Sequence, residues 1–211
     1  MAATRTRRLL RLSLLLFLPL LLEAQARPAP RPYALQDIQL GAPLSELRQL
    51  RFVEETVRGK LRLLCSSDAD SVGIDLLHPL ATTLPPDEVR CALFERDKSK
   101  AAPVPGKIEI FGESVSPLLV FYPPEEGDGE PRLAEITVRF DNDRFQQIVA
   151  LMRRAYGAPA NYEMTGMQTY FGDMVIASYY WNNDVSTIEA DSLTLDLDKM
   201  SVVFKFTELE R

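Results

Sequence analysis

Residues 140–159 read FDNDRFQQIVALMRRAYGAP and give the strongest helix signal in the chain. The polar segment 141–143 supplies an N-cap and negative charge for the first turn, where the helix dipole favours both. Gly157 suits the left-handed position after the last turn, and Pro159 prevents continuation. Apolar side chains recur at helical spacing, which predicts an amphipathic helix with one buried face. That face consists of Phe145, Ile148, Val149, Met152, Ala155 and Tyr156.

The chain after this helix is typical of β-strands. Residues 174–181, MVIASYYW, are rich in β-branched and aromatic side chains. Apolar residues alternate with polar ones in 193–197 and again in 200–206, and the short gap between these two runs fits a tight hairpin. A helix laid over an antiparallel sheet buries the apolar faces of both. Residues 140–211 are therefore predicted to form one helix-plus-sheet unit.

The first half of the chain shows the same plan with weaker signals. Pro43 suits the first turn of a short helix, and leucines at every third position mark its apolar side. Strand-like runs follow this helix. We therefore predict the fold class α+β, with tandem units of one helix packed on an antiparallel β-sheet, the first at 36–139 and the second at 140–211. The predicted strands of the first unit are 62–66, 72–77, 89–94, 107–111, 117–122 and 133–140.

Residues 1–26 have the organisation of a signal peptide. Four arginines precede an apolar run at 12–22, which is too short to span a bilayer comfortably and is interrupted by Pro19. The AQA at 24–26 fits a small-residue cleavage site. An uncleaved membrane anchor is the alternative. Cleavage would release the protein into the periplasm or outside the cell without a stable membrane span, and residues 27–35 would form an extended leader.

The charge balance of the chain is acidic. The full sequence has 24 Lys and Arg, 30 Asp and Glu, and a formal net charge of −6. Loss of the signal peptide removes four Arg and one Glu, which leaves 20 basic and 29 acidic residues and a net charge of −9. Such a surface repels phosphate backbones, so we expect no nucleic-acid partner.

The two cysteines, Cys65 and Cys91, both lie in predicted strands. An exported chain meets an oxidising compartment, so we predict that they form a disulfide. The bond closes a loop of 27 residues, which is worth roughly 3–4 kcal/mol in the chain-entropy account. A redox or metal-binding pair is the alternative, although the sequence has no C-x-x-C and few further zinc ligands.

Catalytic and cofactor-binding signatures are missing from the sequence. The one histidine, His78, is predicted to be a surface-loop residue, although any Ser–His or Cys–His mechanism would need it. No Gly-rich phosphate loop or H-E-x-x-H motif occurs. The acidic loop 123–131 is predicted to be a solvated hairpin tip, with a calcium loop as the alternative. We predict no catalytic residue, no cofactor and no metal, and a protein that is not an enzyme.

Aromatic residues are concentrated in a short interval of the second half. Tyr170 and Phe171 precede the run Tyr179, Tyr180 and Trp181. In a strand, Tyr179 and Trp181 share one face and Tyr180 takes the other, so a sheet with one solvated face exposes at least one of them. Exposed aromatic residues are favoured at protein interfaces, and these three are our candidate protein-binding residues. The alternative is that they pack under the helix.

Two short motifs accompany the helix-then-sheet plan. The first is IQLG at 38–41 with Leu44 and Leu47, and the second is YGAP at 156–159. With these motifs the chain resembles the β-lactamase inhibitor protein fold, and also BamE, the small subunit of the outer-membrane β-barrel assembly machine. The resemblance covers residues 36–207 in architecture. It implies protein contacts in a bacterial envelope, with another envelope or periplasmic protein as the partner.

Three functions are compatible with the sequence. The first is an exported, periplasmic, non-catalytic protein-interaction or inhibitor-like module, which requires only an exposed binding face. The second is a small-molecule or lipid carrier on a curled sheet, which requires an apolar cavity. The third is a hydrolase that uses two carboxylates, which requires their convergence in a cleft with at least one raised pKa. The sequence favours the first, and it gives no information on the oligomeric state.

We expect mass spectrometry of non-reduced peptides from the exported protein to find Cys65 and Cys91 in one linked pair, because the compartment is oxidising. The same digest after reduction serves as the control and should release two separate peptides. Two free thiols in protein purified from the periplasm would contradict the prediction.

Overall fold

A computed structural model of the protein describes residues 30–50, 61–72, 74–77, 88–95, 103–123, 129–169, 172–194 and 198–207. The predicted signal peptide at 1–26, the beginning of the leader at 27–29, His78, Tyr170 and Phe171 lie outside the described residues. The helices are α1 (Leu44–Gln49) and α2 (Phe145–Tyr156), with single 3-10 turns at Ala69–Ser71 and Asn142–Arg144. The strands are β1 (Ala34–Leu35), β2 (Ile38–Gln39), β3 (Leu61–Cys65), β4 (Val89–Glu95), β5 (Val104–Pro105), β6 (Ile108–Ile110), β7 (Glu113–Val115), β8 (Leu118–Tyr122), β9 (Arg132–Asp141), β10 (Asn161–Thr169), β11 (Gly172–Asn183), β12 (Ser186–Asp191) and β13 (Lys199–Phe206).

One antiparallel sheet of nine strands organises the fold. Its strand order is β10-β11-β12-β13-β9-β8-β4-β3, and β5 pairs with the end of β4. Of the residues that the structure describes, 53% are in strands and 18% are in α-helices or 3-10 turns. Two further hairpins, β1-β2 and β6-β7, are separate from this sheet.

The prediction of tandem helix-plus-sheet units is wrong. Strand β9 belongs almost entirely to the first predicted unit, yet it pairs with β8 on one side and with β13 of the second predicted unit on the other. A strand with pairing groups on both edges is most stable when both are used. The two halves therefore share one sheet rather than forming two.

The predicted helix is confirmed as α2, and its end is also correct. Gly157 follows the last turn with φ +86°, a conformation that favours glycine. The predicted cap is not formed, because Arg144 occupies the N-cap position without a side-chain hydrogen bond. The segment before it makes a 3-10 turn, and the Asp141 carboxylate forms an ion pair with Lys199 instead.

The side of the sheet that α2 covers, the helix face, contains the main core. The inward side chains of α2 are Phe145, Ile148, Val149 and Met152, and all four are buried. They belong to one apolar cluster with alternate residues of the four strands β9, β13, β12 and β11. Those strand residues are Ile136, Val138, Phe140, Met200, Val202, Phe204, Ile188, Ala190 and Trp181.

The N-terminal segment is tied onto the same core. The Tyr33 amide donates to Ser186 Oγ at 2.9 Å, and the Tyr156 hydroxyl donates to the Ala34 carbonyl at 2.9 Å. Gly41 has φ +81°, and a Cβ at this position would lie 3.3 Å from the Phe206 ring. Glycine therefore provides both the turn and the close approach to the sheet.

The predicted disulfide is confirmed at the β3 end of the sheet, opposite β10. Cys65 and Cys91 are direct partners in the β3-β4 ladder, and their sulfur atoms are bonded at 2.04 Å. Both residues are fully buried in the main cluster. The bond fastens β3, which is the last strand of the sheet at this end.

Several strand predictions are wrong in detail. The strand predicted at 72–77 is not formed at 72 or at 74–77, where the chain makes turns, and Leu77 belongs to a small second cluster with Ala92 and Phe94. The strand predicted at 193–197 is not formed at 193–194, and 195–197 lie outside the described residues. Strands β10 and β12 were not predicted. In the part of the chain that the structure describes, no helix is long and apolar enough to cross a bilayer.

Replacement of Ile148 by Ala should lower the free energy of unfolding by about 2–5 kcal/mol, because it leaves a cavity at a fully buried position. Chemical denaturation followed by circular dichroism measures the loss. Gln147→Ala, on the exposed side of the same helix, is the matched control and should change stability by less than about 0.5 kcal/mol. Equal losses in the two variants would show that this face of α2 is not core.

Burial raises the pKa of Tyr156 to about 12, above the ordinary value of 10.0. The folded state therefore favours the neutral phenol of Tyr156. The stabilisation that this buried phenol provides is complete below about pH 10 and is lost as the pH rises through about 12. Tyr156→Phe removes the hydrogen bond to the Ala34 carbonyl and should lower the free energy of unfolding by about 1 kcal/mol at neutral pH.

The test compares unfolding free energies at neutral and strongly alkaline pH. The Tyr156→Phe variant should lose less stability on alkalinisation than the wild-type protein. Tyr162→Phe, at an exposed position, is the control and should follow the wild type. An unchanged alkaline loss in Tyr156→Phe would contradict the assignment.

Candidate protein-binding site

Trp181 lies in the core rather than on the surface. Its side chain is 1% exposed and belongs to the main apolar cluster. The indole N–H donates to the Gly157 carbonyl at 2.9 Å. A buried indole N–H needs such a partner, and this one links the end of α2 to the sheet. Trp181 thus supports the structure beneath the candidate surface.

Tyr179 is half-buried at the border of the core, on the helix face. Its ring centroid lies 5.9 Å from that of Phe145 and 4.6 Å from that of Tyr162 on β10. The Arg153 guanidinium lies 5.2 Å from the centroid of the Tyr179 ring, which is a cation–π distance. Because Tyr162 is 45% exposed, this chain of rings runs from the core to the surface.

Tyr180 is half-buried on the opposite face of the sheet. Partial desolvation is the main cause that raises the pKa of Tyr180, and the negative charges of Glu189 and Glu163 add to the effect. The three predicted residues are therefore divided between the core, one face and the other, and they do not form one surface.

A protruding two-stranded segment adjoins these residues, and sequence reasoning missed it. The β10-β11 ladder runs from Asn161↔Tyr180 to Thr169↔Gly172, whereas β12 pairs with β11 only from Ser178 onward. Residues 164–169 and 172–177 therefore extend beyond the third strand, and we call them the ribbon. At its base, Ser192 bonds both main-chain groups of Ala177.

The ribbon exposes large apolar side chains. Met164 is 63% exposed, Val175 57% and Met167 42%. The ladder places Met164 and Val175 on the helix face, where Tyr162 continues the apolar strip, and Met167 on the opposite face. Contiguous exposed apolar surface on a soluble protein is typical of an interaction site.

The charge of the outer three strands has one sign. Strands β10, β11 and β12 contain four acidic residues and neither Lys nor Arg. Three of the acids share the face opposite α2, where Glu163 is the ladder partner of Ser178, and Ser178 is in turn the partner of Asp191. The Ser178 hydroxyl donates to the Asp191 carboxylate at 2.5 Å. The four acids are Glu163, Asp173, Glu189 and Asp191.

The described residues give no geometry for metal chemistry. No group of three or more His, Cys, Asp or Glu side chains in that part of the chain is placed to hold a metal ion. A hydrogen bond from Lys199 and its positive charge lower the pKa of the Asp141 carboxyl, which is opposite to the shift that a general acid requires.

Comparison with known proteins identifies no relative of this chain. No family model matches it, no curated protein matches it, and no solved structure matches it. The resemblance to the β-lactamase inhibitor protein and BamE therefore stays a prediction.

Proposed function

We propose that this protein is an exported, non-catalytic protein-interaction module of a bacterial envelope, and that the ribbon is its binding surface. The observation that carries the proposal is the exposure of Met164, Met167 and Val175 on a segment that projects beyond the rest of the sheet. Exposure of such side chains to water is unfavourable, and burial against a partner removes that cost.

The surroundings of the ribbon support a binding role. Tyr162 and Tyr179 stack at its base and give rigid contact area with little side-chain entropy to lose on binding. Tyr180 lies on the other face among acidic residues. Tyr179 and Tyr180 thus remain candidate contact residues, whereas Trp181 holds α2 in place behind them.

The disulfide supports an exported location. A bond between Cys65 and Cys91 is compatible with an oxidising extracellular or periplasmic compartment. The acidic surface favours a basic region on the partner and an association that weakens with salt.

The core favours a module over a carrier. A carrier on a curled sheet needs unfilled apolar volume between helix and sheet. Here the facing side chains of α2 and β13, such as Ile148, Met152 and Phe204, have no accessible surface at all. The exposed large apolar side chains lie outside this core. Met164, Met167 and Val175 are on the ribbon, Tyr162 is beside it, and Val72 and Leu76 lie apart from it in the chain.

The proposal is tested by capture of partners from periplasmic and membrane extracts on immobilised mature protein. The double variant Met164→Thr/Val175→Thr keeps side chains that suit strands but removes apolar contact, so captured protein should fall by about tenfold or more. The control Val203→Thr, on the face away from α2, should capture as much as the wild type. Circular dichroism and thermal unfolding should be alike for all three proteins.

Equal capture by the wild type and the double variant, with folding unchanged, would contradict a binding role for the ribbon. Capture that does not weaken as salt is raised would contradict a basic partner.

A further inference from the structure

The outer edge of β10 lacks the features that normally prevent edge pairing. The strand is nine residues long and ends the strand order of the sheet. Its sequence, NYEMTGMQT, has neither proline nor lysine, and Glu163 is its one charged residue. Natural sheets usually protect so long an edge with charges, prolines or bulges. Within the part of the chain that the structure describes, no strand pairs with this edge.

Alternate residues of β10 direct their main-chain groups away from β11. Ser192 forms hydrogen bonds with both the N–H and the carbonyl of Ala177. The main-chain groups of Ala177 therefore point toward β12 and away from its ladder partner Met164. The Tyr162 N–H also points away from β11, since it donates to the Asn161 side chain at 2.8 Å. Residues two apart in an antiparallel ladder have the same orientation. Met164, Gly166 and Gln168 therefore present hydrogen-bonding groups at the edge.

The two faces beside this edge differ in chemistry. On the helix face, an added strand would lie next to the apolar side chains of Tyr162 and Met164. A Cβ on Gly166 would meet no atom within 4 Å, so a large side chain of the added strand has room there. On the opposite face it would meet Glu163, with Asp191 two strands behind.

We propose that β10 binds an extended segment of the partner by strand addition, and that this segment alternates apolar with basic residues. The inference rests on the proposed function and specifies its mode. Main-chain hydrogen bonds to Met164, Gly166 and Gln168 supply affinity. Successive side chains of the added strand point to opposite faces of the sheet. Apolar residues pack on the helix face, and basic residues face Glu163.

Charge decides between this segment and a second copy of the chain. Pairing of two β10 edges would bring together two sets of three strands that carry acids and no Lys or Arg. Like charges at close range oppose association, whereas a basic strand gains from the same groups. The occupant is therefore a segment of another protein.

The test uses a synthetic nine-residue peptide in which Val and Lys alternate, and it measures binding to the mature protein by fluorescence anisotropy. A peptide in which Val and Glu alternate is the charge control. A Val–Lys peptide with alternate N-methylated bonds is the main-chain control. The first should bind, and each control should bind at least about tenfold more weakly. Equal binding of all three peptides, or of none, would overturn strand addition.

A pair of protein variants isolates the hydrogen-bonding edge. Met164→Pro removes the outward N–H and the thioether, whereas Met164→Thr removes the thioether alone, and neither touches the bonds to β11. The Pro variant should bind the Val–Lys peptide at least about tenfold more weakly than the Thr variant. In the wild type, the amide NMR signals of Met164, Gly166 and Gln168 should shift on binding and become protected from exchange. Because the N-methylated peptide acts on the wild-type protein, the test survives if Met164→Pro does not fold.

The two proposals fail in different ways. If Met164→Pro and Met164→Thr bind alike while Met164→Thr/Val175→Thr loses partner capture, strand addition is wrong and the ribbon remains an interface. If the double variant also captures normally, both proposals are wrong. A concentration-dependent dimer in analytical ultracentrifugation that Met164→Pro abolishes would show that a second copy, and not a basic segment, occupies the edge.

Discussion

Burial of one face of α2 against the centre of the sheet is the contact on which the rest of the structure depends. The strands beneath it precede and follow the helix in the chain, and their apolar sides are complete only when β9 lies beside β13. The Trp181 indole then fixes the end of the helix through the Gly157 carbonyl. Helix position, strand order and orientation of β11 are thus set together.

The two ends of the sheet are finished in different ways. At one end the chain places a short strand, β3, and fastens it to β4 through Cys65 and Cys91. At the other end β10 and β11 are long, contain no cysteine for a disulfide, and continue past β12 with apolar side chains in water. Among the described residues this is the longest hairpin, and it combines an open edge with exposed apolar side chains, both of which are unfavourable in water.

Local signals in the sequence predicted local structure well. Periodicity and Gly157 identified α2, and alternation identified β9 and β13, because these patterns arise within one element. The pairing of β9 with β13 could not be predicted, since it joins strands that are distant in the chain and no local pattern records it. Strand β10 was missed because its alternation is limited to 162–165, Gly166 interrupts it, and Thr165 and Thr169 are its only β-branched residues. The aromatic run indicated the correct strand, but the ribbon arises only because β12 ends at Asp191.

Trp181 has a spectroscopic consequence. It is the one tryptophan of the chain, and its indole is buried and hydrogen-bonded to the residue that ends α2. Its ring centroid lies 6.3 Å from that of Tyr179, which in turn stacks on Tyr162 of the edge strand. Selectively excited tryptophan fluorescence therefore reports on the contact between helix and sheet without any label. Tyr179 contacts both Trp181 and Tyr162, so binding that displaces Tyr162 or Tyr179 at the base of the ribbon should change the tryptophan emission.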